Sequence, residues 1–403
     1  MAARLWLMVF VLHTSFAACL RGEEPRESHD SVELLKRYLR VDSTNPPGNE
    51  SRAADFLAAV LEEAGIPYET AEKTKGRGNL WARLEGWSKP ALILLNHTDV
   101  VPATQEAWSM GAFSGEIRDG YLYGRGALDM KSTGIMQLLA FLKLHQSGKP
   151  LNRDVIFMAT ADEESGGSFG AKWLCQQRPE LFEEVGYLIT EGGAGYVIGG
   201  KPVFTVELTQ KIPVWIRLVA KGQPGHGSAP GVNSAVERLT RAVRRIQEYR
   251  FPPRITPEVD RYFNALAPHA PHPWRAAFAN MRGAVRDERF LRQLQIEDRY
   301  SHALTRNTVA VTRLAASDTI NVIPGQAPAE LECRLLPDQD VDVFLATLRK
   351  VMDDSSVTVE VLMKGEPSSP TKITPLYRAI EKVSQRHFAS CLLYTSDAAD
   401  ELT

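Results

Sequence analysis

The run Ala91-Leu92-Ile93-Leu94-Leu95-Asn96-His97-Thr98-Asp99-Val100-Val101 decides how this chain is read. Ala91 to Leu95 is short, apolar and unbroken, the pattern of a strand buried on both faces of an α/β sheet. The run stops at a histidine and an aspartate two residues apart. Open α/β sheets collect their ligands at the carboxyl ends of strands. A neutral imidazole is a good metal ligand, and a neighbouring carboxylate fixes its tautomer. Taken alone, His97-Thr98-Asp99 is better read as a strand-end histidine hydrogen-bonded to its neighbour.

The pattern recurs downstream. Residues 155–161 form a second apolar run, which ends in Asp162-Glu163-Glu164, and a third at 185–190 ends in Glu191-Gly192-Gly193. Between the first two lies Gly124-Arg125-Gly126-Ala127-Leu128-Asp129-Met130-Lys131, followed by a helix expected over 131–145. That helix is apolar around most of its circumference, which predicts burial. Asp129 falls at its N-terminus, where a plain cap is the simplest reading of a carboxylate. In a doubly wound sheet these strand ends share an edge, so His97, Asp99, Asp129, Glu163, Glu164 and Glu191 converge. So many carboxylates around one histidine repel unless cations sit among them. Two divalent ions resolve the conflict, with one carboxylate bridging them and another left as a base.

Working outward, helices are expected at 31–39 and 50–64, the second stopped by Gly65, with a loop at 42–48 and a strand at 79–84. After 203 the pattern changes. Residues 214–220 alternate like a strand with one covered face, 223–230 is turn-rich, and 233–249 is an amphipathic helix with a basic outer face. Residues 251–300 show no clear periodicity. Strands at 307–314 and 329–336, a helix at 341–352 and a strand at 357–363 complete a β-α-β-β-α-β order, that of a split, ferredoxin-like unit.

With 403 residues the chain is long enough for two domains, or for one with an insertion. Its 47 basic and 49 acidic side chains leave no footprint for nucleic acid or a polybasic membrane patch. The start, a basic Arg4, an apolar 5–12 and small residues at 17–19, reads as a signal peptide over 1–19, too short to span a membrane. A secreted or periplasmic protein is expected, with no transmembrane span in the mature chain. Lipid anchoring at Cys19 stays open, because Phe16-Ala17-Ala18-Cys19 partly fits a lipoprotein cleavage box. Cys19, Cys175, Cys333 and Cys391 form no C-x-x-C pair, so thiolate zinc and dithiol sites are not expected.

His97-Thr98-Asp99, the Gly124 to Lys131 stretch, Asp162-Glu163-Glu164 and Glu191-Gly192-Gly193 resemble, in order and spacing, the M20 metallopeptidases, which include carboxypeptidase S and the N-acyl-amino-acid hydrolases. Gly225-His226-Gly227-Ser228-Ala229-Pro230, Asn321-Val322-Ile323-Pro324 and Arg334 are similar to that family's lid. The resemblance implies an α/β catalytic domain with a mixed central sheet (28–210, returning at 366–390) and an inserted α+β ferredoxin-like lid, or dimerisation, domain at 211–365. It implies two Zn2+ per subunit. His97 and Glu191 would hold one, Glu164 would help hold the other, and Asp129 would bridge them, often with a cis peptide after it. Asp99 would orient His97, and Glu163 would be the general base, moving a proton from water to the departing nitrogen. His226, from the partner subunit of a homodimer, would stabilise the oxyanion, while Asn321 and Arg334 would bind the carboxylate of a small peptide or N-acyl amino acid. The family's last zinc ligand, a downstream histidine, has no counterpart here. Residues 391–403 resemble nothing in the family, which suggests a truncated frame with a foreign tail and a second zinc site short of one ligand.

Overall fold

Strands that end in acids do share one sheet edge. The computed structural model describes residues 27–193, 195–198, 201–365, 367, 373–388 and 392–398. The readings of a signal over 1–19 and of an anchor at Cys19 lie outside the described residues. The chain divides into two compact units, one up to Glu191 and one from Gly192.

In the first unit, helices α1 (Glu27–Leu39) and α2 (Glu50–Glu63) precede strands β1 (Tyr68–Glu72), β2 (Gly78–Leu84) and β3 (Gly86–His97). A small ribbon, β4 (Glu116–Arg118) with β5 (Tyr121–Tyr123), leads to α3 (Lys131–Gln146), β6 (Leu151–Thr160), α4 (Ala171–Gln177) and β7 (Val185–Ile189). The sheet runs β1-β2-β6-β3-β7. Strand β3 is parallel to β6 and β7, whereas β1 and β2 pair antiparallel, so the sheet is mixed.

Alternation along each strand splits the apolar residues between two layers. Leu80, Leu94 and Phe157 meet Tyr38, Leu57, Leu138 and Phe141 on one face, while Ile93, Ile156 and Met158 meet Leu174 and Leu181 on the other. His97 ends β3 in register with Thr160 of β6, and Leu94 pairs with Ile189 of β7. Three parallel strands thus release their chains at one edge. Helix α3 departs from expectation: Ile135, Leu138 and Phe141 are buried, but Met136 is 62% exposed. Only one stripe of that apolar helix faces the core.

The second unit opens with the antiparallel pair β8 (Gly195–Ile198) and β9 (Lys201–Gln210), then β10 (Ile212–Lys221), β11 (Gly225–His226) and α5 (Ala235–Glu248). Ser234 and Glu237 close a reciprocal capping box on α5, a device worth about 1 kcal/mol. Residues 257–303, unreadable by period, are helical in short pieces, with Val259, Phe263, Phe278, Met281 and Leu294 forming a local core. Strands β12 (Thr308–Leu314), β13 (Val322–Ile323) and β14 (Gln326–Leu335), helix α6 (Val341–Met352), strand β15 (Val357–Lys364), helix α7 (Pro375–His387) and strand β16 (Leu392–Ala398) follow.

The four-stranded sheet runs β12-β14-β10-β15, antiparallel throughout. Its core face packs Ile216, Leu218 and Leu331 on Leu239, Val243, Leu345 and Leu348 from α5 and α6. The opposite face carries Arg217, Glu330 and Arg313 in ion pairs. Strand β16 lies parallel to β9. No helix among the described residues is long and apolar enough to cross a membrane.

Candidate metal centre

His97 is 3% exposed, at the end of β3. Its Nε2 lies 2.9 Å from Asp129 Oδ1 and 3.4 Å from Glu191 Oε1, while Nδ1 lies 3.0 Å from the backbone oxygen of Asp99. An Nδ1–H donated to that oxygen leaves the Nε2 lone pair facing the acids, the tautomer a metal ligand needs. Asp129 does not cap α3: Met130 is the N-cap, and the Asp129 carboxylate turns to His97 instead. The Asp129–Met130 peptide is cis, as the resemblance implied.

The Gly124 to Lys131 turn is fixed by packing. Gly126 has φ +84°, and a Cβ there would meet Val100 Cγ1 at 2.7 Å. The buried Lys131 ammonium donates to Val41 O at 2.6 Å and lies 5.0 Å from the centre of the Tyr38 ring. Burial pushes its pKa down to about 7.

Two sets of ligand atoms gather within 4.8 Å of one another: His97, Asp129 and Glu164, and His97, Glu163 and Glu191. The five residues expected at the metals and the base therefore meet. Among the described residues, no second histidine joins either set. Burial raises Glu163, with help from Glu191, Asp99 and Asp129 and against the pull of His97. Burial, then the charge of Asp129, raises Glu164 to about 7. Burial opposes a charge on His97, but its hydrogen bonds to Asp129, Asp99 and Glu191 outweigh it and hold the ring well above its usual value. Without a cation this cluster takes up protons to relieve its repulsion. One imidazole and oxygen donors within a few ångströms fit a divalent cation such as zinc, which would take the place of those protons.

Asp99 reaches more than His97. Its carboxylate is fully buried and accepts from the backbone N–H of Glu163 at 3.0 Å, the N–H of Glu164 at 3.1 Å and Asn45 Nδ2 at 2.8 Å. Sequence reasoning missed Asn45, Glu50 and Arg77, which stand behind the acidic triplet. Asp162 points away from the cluster, with φ +68°, and accepts from Arg77 Nη2 at 2.6 Å.

In the second unit, β11 and β13 pair Gly225 with Ile323 and His226 with Val322. Gly227 N donates to Asn321 O at 2.8 Å, so His226 and Asn321 share one ribbon. His226 is exposed, and its Nδ1 accepts the Ser228 N–H at 3.2 Å. That acceptance leaves the proton of the neutral ring on Nε2, a donor turned away from the turn. The half-buried Arg334 sits near the other end of β14, opposite Pro213 of β10, with its guanidinium on Glu332. Gln326, where β14 starts beside the ribbon, is separated from Arg334 by roughly 27 Å of strand.

A buried histidine ringed by carboxylates at the carboxyl edge of a mixed sheet is the arrangement of a metal-dependent hydrolase. The profile of peptidase family M20/M25/M40 matches residues 93–399. The N-fatty-acyl-amino acid synthase/hydrolase PM20D1 of Xenopus tropicalis is 33% identical over 375 residues, 89% of this chain and 72% of that protein. Aminoacylase-1 of Mus musculus is 28% identical over 348 residues, 85% of this chain and 75% of that protein. The solved M20 family metallo-carboxypeptidase Sso-CP2 from Sulfolobus solfataricus superposes with a TM-score of 0.72 at 22% identity, over 92% of this chain and 86% of the other. The chain belongs to peptidase family M20/M25/M40, and it is a metal-dependent hydrolase of amide or peptide bonds.

Proposed function

We propose that the scissile bond lies next to a substrate carboxylate, so that the protein acts as a zinc carboxypeptidase or N-acyl-amino-acid amidohydrolase. The observation that carries the hydrolytic step is the placement of Glu163; the reading of a substrate carboxylate rests on Arg334. Its backbone is pinned by Asp99, its carboxyl lies in one ligand set with His97 and Glu191, and burial raises its affinity for a proton. His97, Asp129, Glu164 and Glu191 are the proposed ligands of two Zn2+. Bound divalent ions supply Lewis acidity and acidify water at such a site. Glu163 takes the proton of the attacking water and returns it to the departing nitrogen. With a single histidine in both sets, we expect the second ion to be held less tightly.

Arg334 offers a planar fork suited to a carboxylate, which favours an acidic substrate terminus over the free amine read by an aminopeptidase or dipeptidase. Two relatives named as acting on acylated amino acids point to the same class. His226 supplies the Nε2–H for the developing oxyanion. In one chain Arg334 sits near the end of β14 far from the ribbon that carries His226 and Asn321, so a joint grip on one small substrate takes Asn321 and His226 from a second copy. We therefore propose a homodimer through an inserted ferredoxin-like lid, residues 211–365 within the second unit. The N-terminal signal pattern is the ground for proposing a secreted or periplasmic enzyme.

Glu163→Gln tests the central claim. The variant should bind zinc as the parent does and lose amide hydrolysis on a panel of N-acyl amino acids and dipeptides. Turnover within tenfold of the parent would sink the base assignment.

A further inference from the structure

We propose that Arg77 is a positioning residue for hydrolysis, holding the Asp162-Glu163-Glu164 turn so that Glu163 keeps its aim; this rests on reading Glu163 as the base. Arg77 sits in Gly76-Arg77-Gly78, where a sequence alone suggests a surface turn, yet it is only 8% exposed. Its guanidinium is gripped on several sides. Nε and Nη2 donate to Glu50 Oε2 and Oε1, both at 2.8 Å, and Nη2 also donates to Asp162 Oδ1 at 2.6 Å. The Phe169 ring lies 4.5 Å from the guanidinium carbon. Gly48 closes the remaining side, since a Cβ there would meet Arg77 Nε at 2.3 Å.

The partners of Arg77 hold the turn by more than one bond. Glu50 Oε1 also accepts the Asp162 N–H at 3.2 Å, and Asp162 Oδ2 accepts the Phe169 N–H at 3.1 Å. Asp162 is thus fixed through backbone and side chain in the left-handed region, which a non-glycine residue enters only at a cost. That conformation reverses the chain within one residue. It sends the Asp162 carboxylate to Arg77 and leaves Glu163 and Glu164 on the His97 side. Asn45 Nδ2 ties the two supports together, donating to Asp99 at 2.8 Å and to Asp162 at 3.1 Å. The base therefore hangs between two clamps, Asp99 on its amide and Arg77 on the residue before it. Only arginine presents a fork to one carboxylate and a further N–H to another; lysine keeps the charge and loses the fork.

An ion pair that serves folding alone makes a different prediction from one that aims a catalytic group. The test is Arg77→Lys in the full chain, with Arg77→Met and Asn45→Ser as companions. We measure kcat and KM on an N-acyl amino acid, zinc per chain, thermal midpoint, and amide exchange of Glu163 and Glu164. A displacement of about 1 Å in a catalytic group costs on the order of 100-fold. Arg77→Lys should lower kcat by about 10- to 100-fold with KM within about twofold, zinc content retained, and faster exchange at both amides. Arg77→Met should lose more, and lysine should restore part of that loss.

In a Glu163→Gln background, Arg77→Lys should leave the residual rate within about twofold, because the group it aims is gone. Parental kcat and exchange in Arg77→Lys would overturn the proposal, as would an undiminished Arg77→Lys effect without Glu163. If Arg77→Met does not fold, Arg77→Lys and Asn45→Ser decide. Full turnover in Glu163→Gln alone would instead refute the base assignment, a separate outcome.

Discussion

Replacing Asp99 with asparagine changes one atom and should damage both stability and catalysis. The two carboxylate oxygens divide four donors between them. Oδ1 faces the Glu163 N–H at 3.0 Å and His97 Nδ1 at 3.4 Å; Oδ2 faces the Glu164 N–H at 3.1 Å and Asn45 Nδ2 at 2.8 Å. An asparagine amide keeps one oxygen and sets an NH2 group against the other pair. With the oxygen on the first side, Glu164 N–H and Asn45 are left facing donors; with it on the second, Glu163 N–H and His97 are. Asn45 cannot simply rotate its amide, because its Nδ2 also serves Asp162. Each buried donor left without an acceptor costs about 1–3 kcal/mol; because His97 Nδ1 keeps the Asp99 backbone oxygen, the second arrangement strands only the Glu163 N–H, and the lost stability is roughly 1–3 kcal/mol.

The titration of Asp99 itself adds no pH dependence to this loss between pH 5 and 8. Burial acts to raise Asp99, but the hydrogen bond and charge of His97, with Asn45 and the Glu163 amide, overcome it and hold the carboxyl below its ordinary value. A group depressed in the folded state contributes fully above its unfolded pKa, about 3.9, and loses that contribution only at lower pH. Urea unfolding of the parent and Asp99→Asn at pH 5, 6.5 and 8 makes the measurement. His97 keeps its Nδ1 contact to the Asp99 backbone oxygen, so zinc affinity should fall only toward the lower end of the 10–100-fold range typical of such supporting groups. A difference below about 0.5 kcal/mol, within the range of an ordinary surface substitution, would refute the assignment of these four donors to Asp99.

Zinc binding should compete with protons. Glu164 lies at about 7 in the metal-free protein, so apparent affinity should fall by about tenfold per pH unit below 7, with protons released on binding. Titration calorimetry in two buffers of unlike ionisation enthalpy checks this, and a pH-independent affinity without proton release would contradict the electrostatics of the cluster. Arg334→Ala should raise KM for substrates ending in a carboxylate by roughly 10- to 100-fold, as expected for a lost charged hydrogen-bonding partner, and change it little for their amidated analogues. Equal effects on both would remove Arg334 from carboxylate recognition.

What was legible in the sequence follows from the range of each interaction. Apolar runs that stop at His97, Asp162 and Glu191 are local patterns, and one sheet rule converts them into a shared edge. The same reasoning failed where period misleads or is missing. Helix α3 looks apolar all round, yet Met136 faces away from the core. The short helices between 257 and 303 never complete enough turns to show a stripe. Asn45, Glu50 and Arg77 carried no usable signal because their roles are set by contacts between residues far apart in the chain. Glu50 reads as an acid favouring a helix start, and only the fold brings Arg77 to Asp162, 85 residues on. The glycine at 48 was the available hint: its place beside the Arg77 guanidinium admits no side chain.

The triplet Asp162-Glu163-Glu164 shows why composition cannot assign chemistry within such a cluster. Three adjacent acids of nearly equal intrinsic pKa receive three environments. Asp162 is neutralised by Arg77 and serves the backbone. Glu163 and Glu164 are both raised by burial, but they enter different ligand sets around His97. The sorting is done by the left-handed turn at Asp162 and by Asp99, which takes the two following amides on separate oxygens. Exchanging the order of these acids would preserve charge and composition and still lose the site. Division of labour among like carboxylates comes from what each is held against. In this protein the holding is done by Asp99, Arg77 and the side-chain amide of Asn45, and only the first of these could be chosen from the sequence.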